Sequence, residues 1–217
     1  MQLTPIQKLL SWFFFHLYHR LAWSYDLIAV LVSGGHWNDW VRSVTSLLPG
    51  HRILELGFGP GHLQLHLARS GFFTVGVDES PQMARQADRR LHKSAQPSHL
   101  TRGLVHALPF PTGWFDGVVS TFPADAVFSP RTLQDVQRVL KPGGSLIILP
   151  SAMPGGRRPT VMLARLLLSL TGQGPHSLPS PGNSILQTLA DAGFHVTWQR
   201  VAVNQDTVLI IQAVKHG

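Results

Sequence analysis

The sequence predicts an α/β fold in which a mostly parallel sheet is covered by helices on both faces. Three observations support this prediction. Apolar runs of strand length alternate with helical segments between about residues 51 and 149. The stretch ILELGFGPGH, residues 53–62, joins one such run to a helix through glycines at alternate positions. The run Leu146–Leu149 is apolar throughout, which is typical of a parallel strand buried on both faces.

The first 50 residues are expected to be helical. Apolar residues recur at helical spacing between Leu3 and Val32, and Ser33-Gly34-Gly35 separates them from a second helix over 36–48. Arg20 and Asp26 interrupt the apolar run before it reaches the roughly 18 residues of a membrane span, and no signal-peptide cleavage pattern follows it. We expect the first helix to pack on the core. The alternative is that its aromatic surface also contacts a membrane interface or a lipophilic substrate.

Strands and helices alternate from residue 51 onward. Serine as N-cap followed by proline at the first helical position predicts helix starts at Ser80-Pro81 and Ser129-Pro130. Another helix is expected over 61–70, ended by Gly71. The expected strands lie at 51–56, 73–78, 100–105, 115–121 and 146–149.

The composition changes after residue 151. An apolar helix is expected over 160–170, with Arg157, Arg158 and Arg165 at or near its start, followed by a Gly/Pro/Ser-rich stretch over 172–183. A helix over 184–192 and strands over 195–203 and 207–214 close the chain. The short turn between these strands predicts an antiparallel hairpin.

The composition favours one domain with a sizeable core, since the chain has 217 residues. It contains no cysteine, which excludes disulfides, thiolate zinc sites and a cysteine nucleophile. The formal net charge of +7 is compatible with anionic partners or with solubility alone. The 12 histidines show no metal-ligand spacing, so we predict no metal site.

The spacing of the glycines selects among nucleotide-type sites. A dinucleotide fingerprint would need glycine at position 62, where the chain has His62, and no Gly-Lys-Ser/Thr closes a phosphate loop. What remains is Glu55 followed by Gly57, Gly59 and Gly61, with Asp78 at the end of the next strand. An acid in that place suits a ribose diol.

With these residues in place, the chain resembles the class I S-adenosylmethionine-dependent methyltransferases. ALPFPTGWFDGVVSTF (107–122) and VLKPGGSLIIL (139–149) also resemble segments of that family, and the matches together cover residues 52–150. The resemblance implies S-adenosyl-L-methionine as cofactor, methyl transfer as the reaction, and a Rossmann-like, doubly wound, seven-stranded sheet. One strand in the edge region of that sheet should be antiparallel.

The resemblance also implies a set of cofactor-binding residues. Glu55 would orient the glycine loop and the methionine ammonium, Asp78 would accept the ribose hydroxyls, and Glu79 and Met83 would flank the adenosine. The full predicted set is Tyr25, Glu55, Gly57, Phe58, Gly59, Asp78, Glu79, Met83, Val105 and Ser120. Leu104 stands where the family often has an acid for the adenine amino group, so backbone near Val105 would take that role.

Each polar member of the set also has a local interpretation. Glu55 is alternatively a buried strand acid satisfied by hydrogen bonds, Asp78 a helix N-terminal cap, and Ser120 a strand-end hydroxyl bonded nearby. Asp116 is expected to be structural, capping a loop where a strand begins. No residue stands out as the general base, and His36, His106, Asp125 and His176 are the candidates.

The predicted layout is a single methyltransferase domain over 1–217. Residues 1–50 form a helical lid, 51–150 the cofactor-binding core, 151–183 a lid insertion, and 184–217 a helix and strand hairpin. We expect the segment around Tyr25 to close over the methionine end of the cofactor. Tyr25 is alternatively a core aromatic residue.

The expected acceptor is a small apolar or aromatic molecule. Tyr25-Asp26, the Ser33–His36 break and Trp40 loosely resemble the quinone-biosynthesis C-methyltransferases. A nucleic-acid methyltransferase and a non-catalytic cofactor-binding protein are the alternatives. No nucleic-acid partner is expected, because no Asn/Asp-Pro-Pro-Tyr/Phe motif follows the fourth strand. We expect a cytoplasmic protein, with peripheral contact at a membrane surface as the open alternative.

Overall fold

The computed structural model describes residues 33–155 and 180–216. These residues form a seven-stranded sheet in the order β3-β2-β1-β4-β5-β7-β6. The strands are β1 Arg52–Leu56, β2 Phe73–Asp78, β3 Leu100–Arg102, β4 Phe115–Thr121, β5 Leu140–Met153, β6 Phe194–Val203 and β7 Asp206–Lys215. The α-helices are α1 Trp37–Arg42, α2 His62–Arg69, α3 Pro81–Lys93, α4 Pro130–Val139 and α5 Asn183–Asp191.

One strand of the sheet is reversed. Strands β1 to β5 pair in parallel, whereas β7 pairs antiparallel with both β5 and β6. The predicted fold class and hairpin are confirmed, with the reversed strand next to the edge. Because β7 runs opposite to β5, Asp206 at its start lies beside the carboxyl end of β5, where Met153 pairs with Thr207.

The sheet has an apolar cluster on each face. Successive residues of β1 point to opposite sides, so Ile53 packs with Trp40 of α1 and Leu63 of α2, while Leu54 packs on the other face with Leu133 of α4. All five side chains are at most 1% exposed. This two-sided burial is why the central strands of the sheet are mainly apolar, whereas the edge strands β3 and β6 carry exposed polar residues.

Both predicted N-caps are present. The Ser80 hydroxyl accepts a hydrogen bond from Met83 N–H at 3.3 Å, and the Ser129 hydroxyl accepts one from Thr132 N–H at 3.2 Å. Each serine is followed by proline at the start of its helix. The caps therefore set the starts of α3 and α4 as the sequence predicts.

Three element boundaries differ from the prediction. The helix expected over 36–48 ends at Arg42, where the Ser43 hydroxyl donates to Trp40 O at 2.6 Å, and a 3₁₀ turn, Thr45–Leu47, follows. Strand β3 stops at Arg102, because the chain then turns and Ala107 N–H bonds Leu104 O at 3.1 Å. Strand β5 is longer than 146–149. Its pairing with β4 skips from Leu140 to Ser145 through the Pro-Gly-Gly segment.

Several predictions lie outside the described residues. They concern the first helix with Tyr25, the helix expected over 160–170 with its three arginines, and His176. Among the helices that the structure describes, none is long and apolar enough to cross a bilayer.

Candidate functional site

The glycine turn after β1 opens towards the carboxyl edge of the sheet. Gly57 and Gly59 have φ of +72° and +52°, and a Cβ added at either position would meet no atom within 4 Å. Positive φ favours glycine, and the space in front of both residues is clear. The turn therefore presents bare backbone to a cradle that a ligand can fill.

Gly61 has a different reason to be glycine. Its φ is +81°, and a Cβ there would lie 2.6 Å from the Ala87 Cβ of α3. The residue lets α2 start in close contact with α3. Of the three glycines predicted to surround a ligand, Gly61 thus serves helix packing.

The Asp78 carboxylate connects β2 to the turn. It is buried, and it accepts hydrogen bonds from Gly59 N–H at 2.9 Å and from Ser80 N–H at 2.8 Å. An ionised carboxylate offers about four acceptor positions, so these two bonds leave it able to accept hydroxyl donors as well. The N-cap of α3 is Ser80, so the alternative interpretation of Asp78 as the helix cap is wrong, while its bond to the glycine turn is compatible with ligand binding.

Glu55 lies at one end of a buried polar chain whose central residue is Gln64. Gln64 Nε2 donates to its carboxyl at 2.8 Å and to Val75 O at 3.2 Å, and Thr74 Oγ1 donates to Gln64 Oε1 at 2.9 Å. Burial raises the pKa of Glu55 from 4.5 to about 8. The hydrogen bond from Gln64 opposes this rise in pKa, and the charge of Asp78 adds to it. Burial therefore favours the protonated form of Glu55, and a cation bound beside it would favour the ionised form.

A pocket lies between the glycine turn and helix α1. Four predicted site residues line it, namely Glu55, Gly57, Phe58 and Gly59. Six further lining residues were missed by the sequence analysis: Trp37, Val41, Pro60, His62, Leu63 and Thr121. Pro60 and His62 could have been found inside the motif, and Thr121 from its place at the end of β4. Trp37 and Val41 reach the pocket only through the packing of α1.

The other described members of the predicted set do not line this pocket. Met83 is fully buried, Glu79 is exposed and Val105 is half-buried. The Ser120 hydroxyl is buried and donates to Leu56 O at 2.8 Å, which favours its local interpretation. Leu104 is 47% exposed. The assignment of these residues to a cofactor stays a prediction.

The candidate bases are dispersed. Asp125 is exposed in a 3₁₀ turn, Asp125–Phe128. His106 lines a separate groove with Arg131 and Arg138. His36 differs from both, because its Nδ1 lies 2.7 Å from Oδ2 of the buried Asp206.

Comparison with known proteins shows what the central part of the chain is similar to. Residues 53–144 match the family described as Methyltransferase domain. This match spans the glycine turn, Asp78 and the Pro-Gly-Gly segment. Over these residues the chain is therefore similar to the S-adenosylmethionine-dependent methyltransferases. The cofactor of this family is S-adenosyl-L-methionine.

Individual relatives align with this chain over more residues than the family match covers. A demethylmenaquinone methyltransferase of Symbiobacterium thermophilum is 37% identical over 151 residues, which are 65% of this chain and 60% of the relative. The Ubiquinone/menaquinone biosynthesis C-methyltransferase UbiE of Vibrio cholerae is 31% identical over 147 residues, 64% of this chain and 56% of the relative. The chain therefore aligns with about three fifths of the length of these relatives.

Solved structures share the fold. An S-adenosylmethionine-dependent methyltransferase of Methanococcus maripaludis has a TM-score of 0.66 at 17% identity, covering 92% of this chain and 94% of that one. One of Thermotoga maritima has a TM-score of 0.62 at 20% identity, covering 92% and 98%. At these identities the likeness is one of fold alone.

The residues present fit the cofactor of this family. The cradle before Gly57 and Gly59 is open, the buried acid Glu55 lines the pocket there, and the buried acid Asp78 is bonded to Gly59 N–H. Phe58 is packed over Gly76, where a Cβ would lie 2.7 Å from the Phe58 ring. Open backbone, two acids and apolar surroundings together suit a ligand with an ammonium group, a ribose and an adenine.

Proposed function

We propose that this protein transfers the methyl group of S-adenosylmethionine to a small apolar or aromatic acceptor. The observation that carries the proposal is the open space before Gly57 and Gly59, next to the buried acids Glu55 and Asp78. Other turn glycines such as Gly71 and Gly143 also face open space, so what distinguishes Gly57 and Gly59 is that their clear space adjoins these buried acids.

The cofactor supplies a methyl group on a sulfonium, so the protein needs no covalent intermediate. The chain's part is to hold two molecules in place. Asp78 would accept the ribose hydroxyls, Glu55 would face the methionine ammonium, and Met83 and Glu79 would flank the adenosine. Correct placement of two reactants can lower a barrier by roughly 7–11 kcal/mol, which makes positioning the main contribution of these residues.

Aromatic side chains beside the pocket support an apolar, planar acceptor. The Trp37 ring stacks on Phe122 with 4.2 Å between centroids and 25° between planes. Phe122 follows the pocket residue Thr121 and has φ of +50°. A bulky residue in this conformation stores strain of about 1–3 kcal/mol, a feature that clusters at functional sites. The Phe122 N–H bond to Leu149 O, 2.7 Å long, holds the residue in place.

The names of the relatives also support an apolar acceptor with a ring. Both are named for methyl transfer to quinone precursors or in quinone biosynthesis. An acceptor of that class has an apolar ring, which suits a pocket with Trp37 in its wall.

Binding is the first test. Calorimetry should show binding of S-adenosylmethionine and of its demethylated product to the wild type. Asp78→Ala should weaken this binding by about 1.5–3 kcal/mol, the usual loss for hydrogen bonds to a charged group. Asp78→Asn is the matched variant, because it keeps an acceptor for Gly59 N–H. Tight NADH binding without S-adenosylmethionine binding would contradict the proposal.

Turnover is the second test. Label from methyl-labelled S-adenosylmethionine should enter small naphtho- or benzohydroquinones. Trp37→Ala should reduce this transfer about tenfold or more, with a smaller loss of cofactor affinity because Trp37 lines the same pocket as the glycine turn. Trp114→Ala is the control, since Trp114 is a half-buried aromatic residue at the opposite edge of the sheet. Cofactor binding without transfer to any acceptor would favour the non-catalytic alternative.

A further inference from the structure

The side-chain amide of Gln64 connects the three other groups of the buried polar chain. It is fully buried on α2, where Nε2 donates to Glu55 Oε2 at 2.8 Å and to Val75 O at 3.2 Å. Its Oε1 accepts from Thr74 Oγ1 at 2.9 Å. Because a backbone carbonyl can only accept, the nitrogen of the amide must face Val75 O, which fixes the orientation of the amide. Gln64 is therefore a donor to Glu55 and not an acceptor from it.

This donation gives the two carboxyl oxygens of Glu55 different roles. Oε2 accepts from Gln64, the role of the carbonyl oxygen in a neutral carboxyl, so the proton of the neutral form belongs on Oε1. Glu55 lines the pocket, and Oε1 has no hydrogen-bond partner in the part of the chain that the structure describes. Oε1 is not enclosed either, since among the described residues the one fully enclosed side-chain nitrogen or oxygen without a partner is Thr45 Oγ1. The oxygen that carries the proton is thus the one that a ligand in the pocket can reach.

Burial favours the proton on this oxygen. The Glu55 residue is 2% exposed, and burial raises its pKa to about 8 even though the hydrogen bond from Gln64 opposes the rise. A cation placed against Oε1 acts in the other direction, because an ion pair favours the carboxylate. A proton and an ammonium group therefore compete for the same oxygen.

Two other titratable side chains face Glu55 from the described elements around it. Asp78, at the end of β2, adds a negative charge that raises the pKa of Glu55. His62, on α2, lines the same pocket. The described pocket residues of α1 and β4 carry no charge. A pH dependence of ligand binding can therefore arise at Glu55 or at His62, and a variant of Glu55 separates the two.

We propose that an ammonium group bound in the pocket displaces the proton from Glu55 Oε1, and that Gln64 is the positioning residue that directs Oε1 to the ligand by holding Oε2. This inference rests on the proposed function, in which the ammonium group belongs to the methionine part of the cofactor. The O–H bond of the carboxyl breaks, its electron pair stays on Oε1, and the proton passes to the buffer. The ammonium group keeps its own protons and pairs with the new carboxylate. A ligand with an amino-acid part therefore releases a proton when it binds.

Calorimetry at pH 7 in two buffers of different ionisation enthalpy counts the protons released by the wild type. S-adenosylhomocysteine, the demethylated product of the cofactor, should release about 0.9 proton, because a group with a pKa of about 8 is roughly nine tenths protonated at that pH. Its affinity should rise about tenfold or more from pH 6 to 7.5. 5′-Methylthioadenosine has the nucleoside but no ammonium group, so it should release no proton and bind equally well over this range.

Glu55→Gln is the decisive variant for the proton, since its amide resembles the neutral acid and still accepts from Gln64. It should fold, release no proton, and bind S-adenosylhomocysteine with an affinity that no longer changes between pH 6 and 7.5. His62 is intact in this variant, so any contribution of His62 to the pH dependence remains visible.

Gln64→Met tests the positioning role. It removes the donor that opposes the rise in the pKa of Glu55, so the increase of affinity with pH should move to higher pH. Gln64→Asn shortens the amide and should move it in the same direction, which provides a second variant where Gln64→Met does not fold. Thr74→Val is the matched control, because it removes a hydrogen bond from the same chain but leaves the donation to Glu55 in place. It should lower the melting temperature and keep the wild-type proton count and pH profile.

The outcomes separate this inference from the proposed function. Binding of S-adenosylhomocysteine without proton release in the wild type would overturn the inference alone. Unchanged proton release in Glu55→Gln would assign the proton to another group, such as His62, and would also overturn it. A wild-type pH profile in the Gln64 variants, with the thermal loss seen in Thr74→Val, would make Gln64 a structural residue only. A wild type that binds neither S-adenosylmethionine nor S-adenosylhomocysteine would overturn the proposed function and the inference with it.

Discussion

The neighbouring strands β1 and β4 each carry an acid. The acid of β1 lies near the carboxyl ends of the strands and the acid of β4 near their amino ends, and the pKa values of the two acids shift in opposite directions. Glu55, near the carboxyl end of β1, lies beside the pocket, and burial raises its pKa to about 8. Asp116 begins β4 at the amino edge and accepts hydrogen bonds from His51 N–H at 2.9 Å, Arg52 N–H at 2.8 Å, and the Lys141 ammonium.

Partial burial by itself would raise the pKa of Asp116, but the hydrogen bonds from Arg52, Lys141 and His51, with the charge of Lys141, lower it to about 2. Asp116 therefore stabilises the fold as an ion, as the structural interpretation predicted. Glu55 costs the fold stability whenever it ionises. The comparison teaches that the amino edge is built for stability and the carboxyl edge for a ligand.

The largest expected effect on stability is that of Glu55→Gln, which changes how the free energy of unfolding depends on pH. The folded pKa of about 8 exceeds the value of 4.5 expected for an unfolded chain, so the folded state holds the extra proton and loses stability as pH rises from 4.5 to 8. One group changes stability by at most about 1.4 kcal/mol per pH unit. Urea denaturation from pH 5 to 9 should show a steeper decline in the wild type than in the variant. Parallel profiles would show that Glu55 keeps an ordinary pKa.

Asp116→Ala should give the next largest change in the free energy of unfolding. Losing the acceptor of two backbone N–H groups and one ammonium should cost about 2–3 kcal/mol of unfolding free energy at pH 7. In the wild type, this stabilisation is present above pH 3.8 and is lost as pH falls towards 2. Cofactor affinity measured by calorimetry should not change. A variant that unfolds like the wild type at pH 7 would remove Asp116 from the stabilising role.

The smallest expected effects come from a matched pair of glycines. Gly50→Ala puts a Cβ 2.5 Å from Asp116 Cγ at φ of +61°, whereas Gly59→Ala at φ of +52° meets no atom of the chain within 4 Å. Each should lose about 1–2 kcal/mol of stability from the left-handed backbone, and Gly50→Ala should lose more because its Cβ displaces Asp116. Only Gly59→Ala should also weaken S-adenosylmethionine binding, by about tenfold. Equal losses of cofactor affinity in the two variants would contradict the assignment of the two edges.

The order of elements could be predicted from the sequence because its signals are local. Apolar runs, Ser-Pro helix starts and the glycine turn each act within a few residues, and the two serine caps are present where expected. Asp78 could be predicted as a site residue for a similar reason. Its distance from the glycines corresponds to one helix and one strand, and the structure brings it to Gly59 N–H.

The sequence by itself therefore determined the α/β architecture, the glycine turn and its acid partner. Only the tertiary structure decided which glycine faces open space and which packs on Ala87, because that depends on how α2 meets α3. It also decided the place of Trp37 in the pocket and the contact between His36 and Asp206, which are 170 residues apart in the chain. Local patterns carry no information on such contacts, since these arise only when α1 packs across the sheet and β7 inserts beside β5.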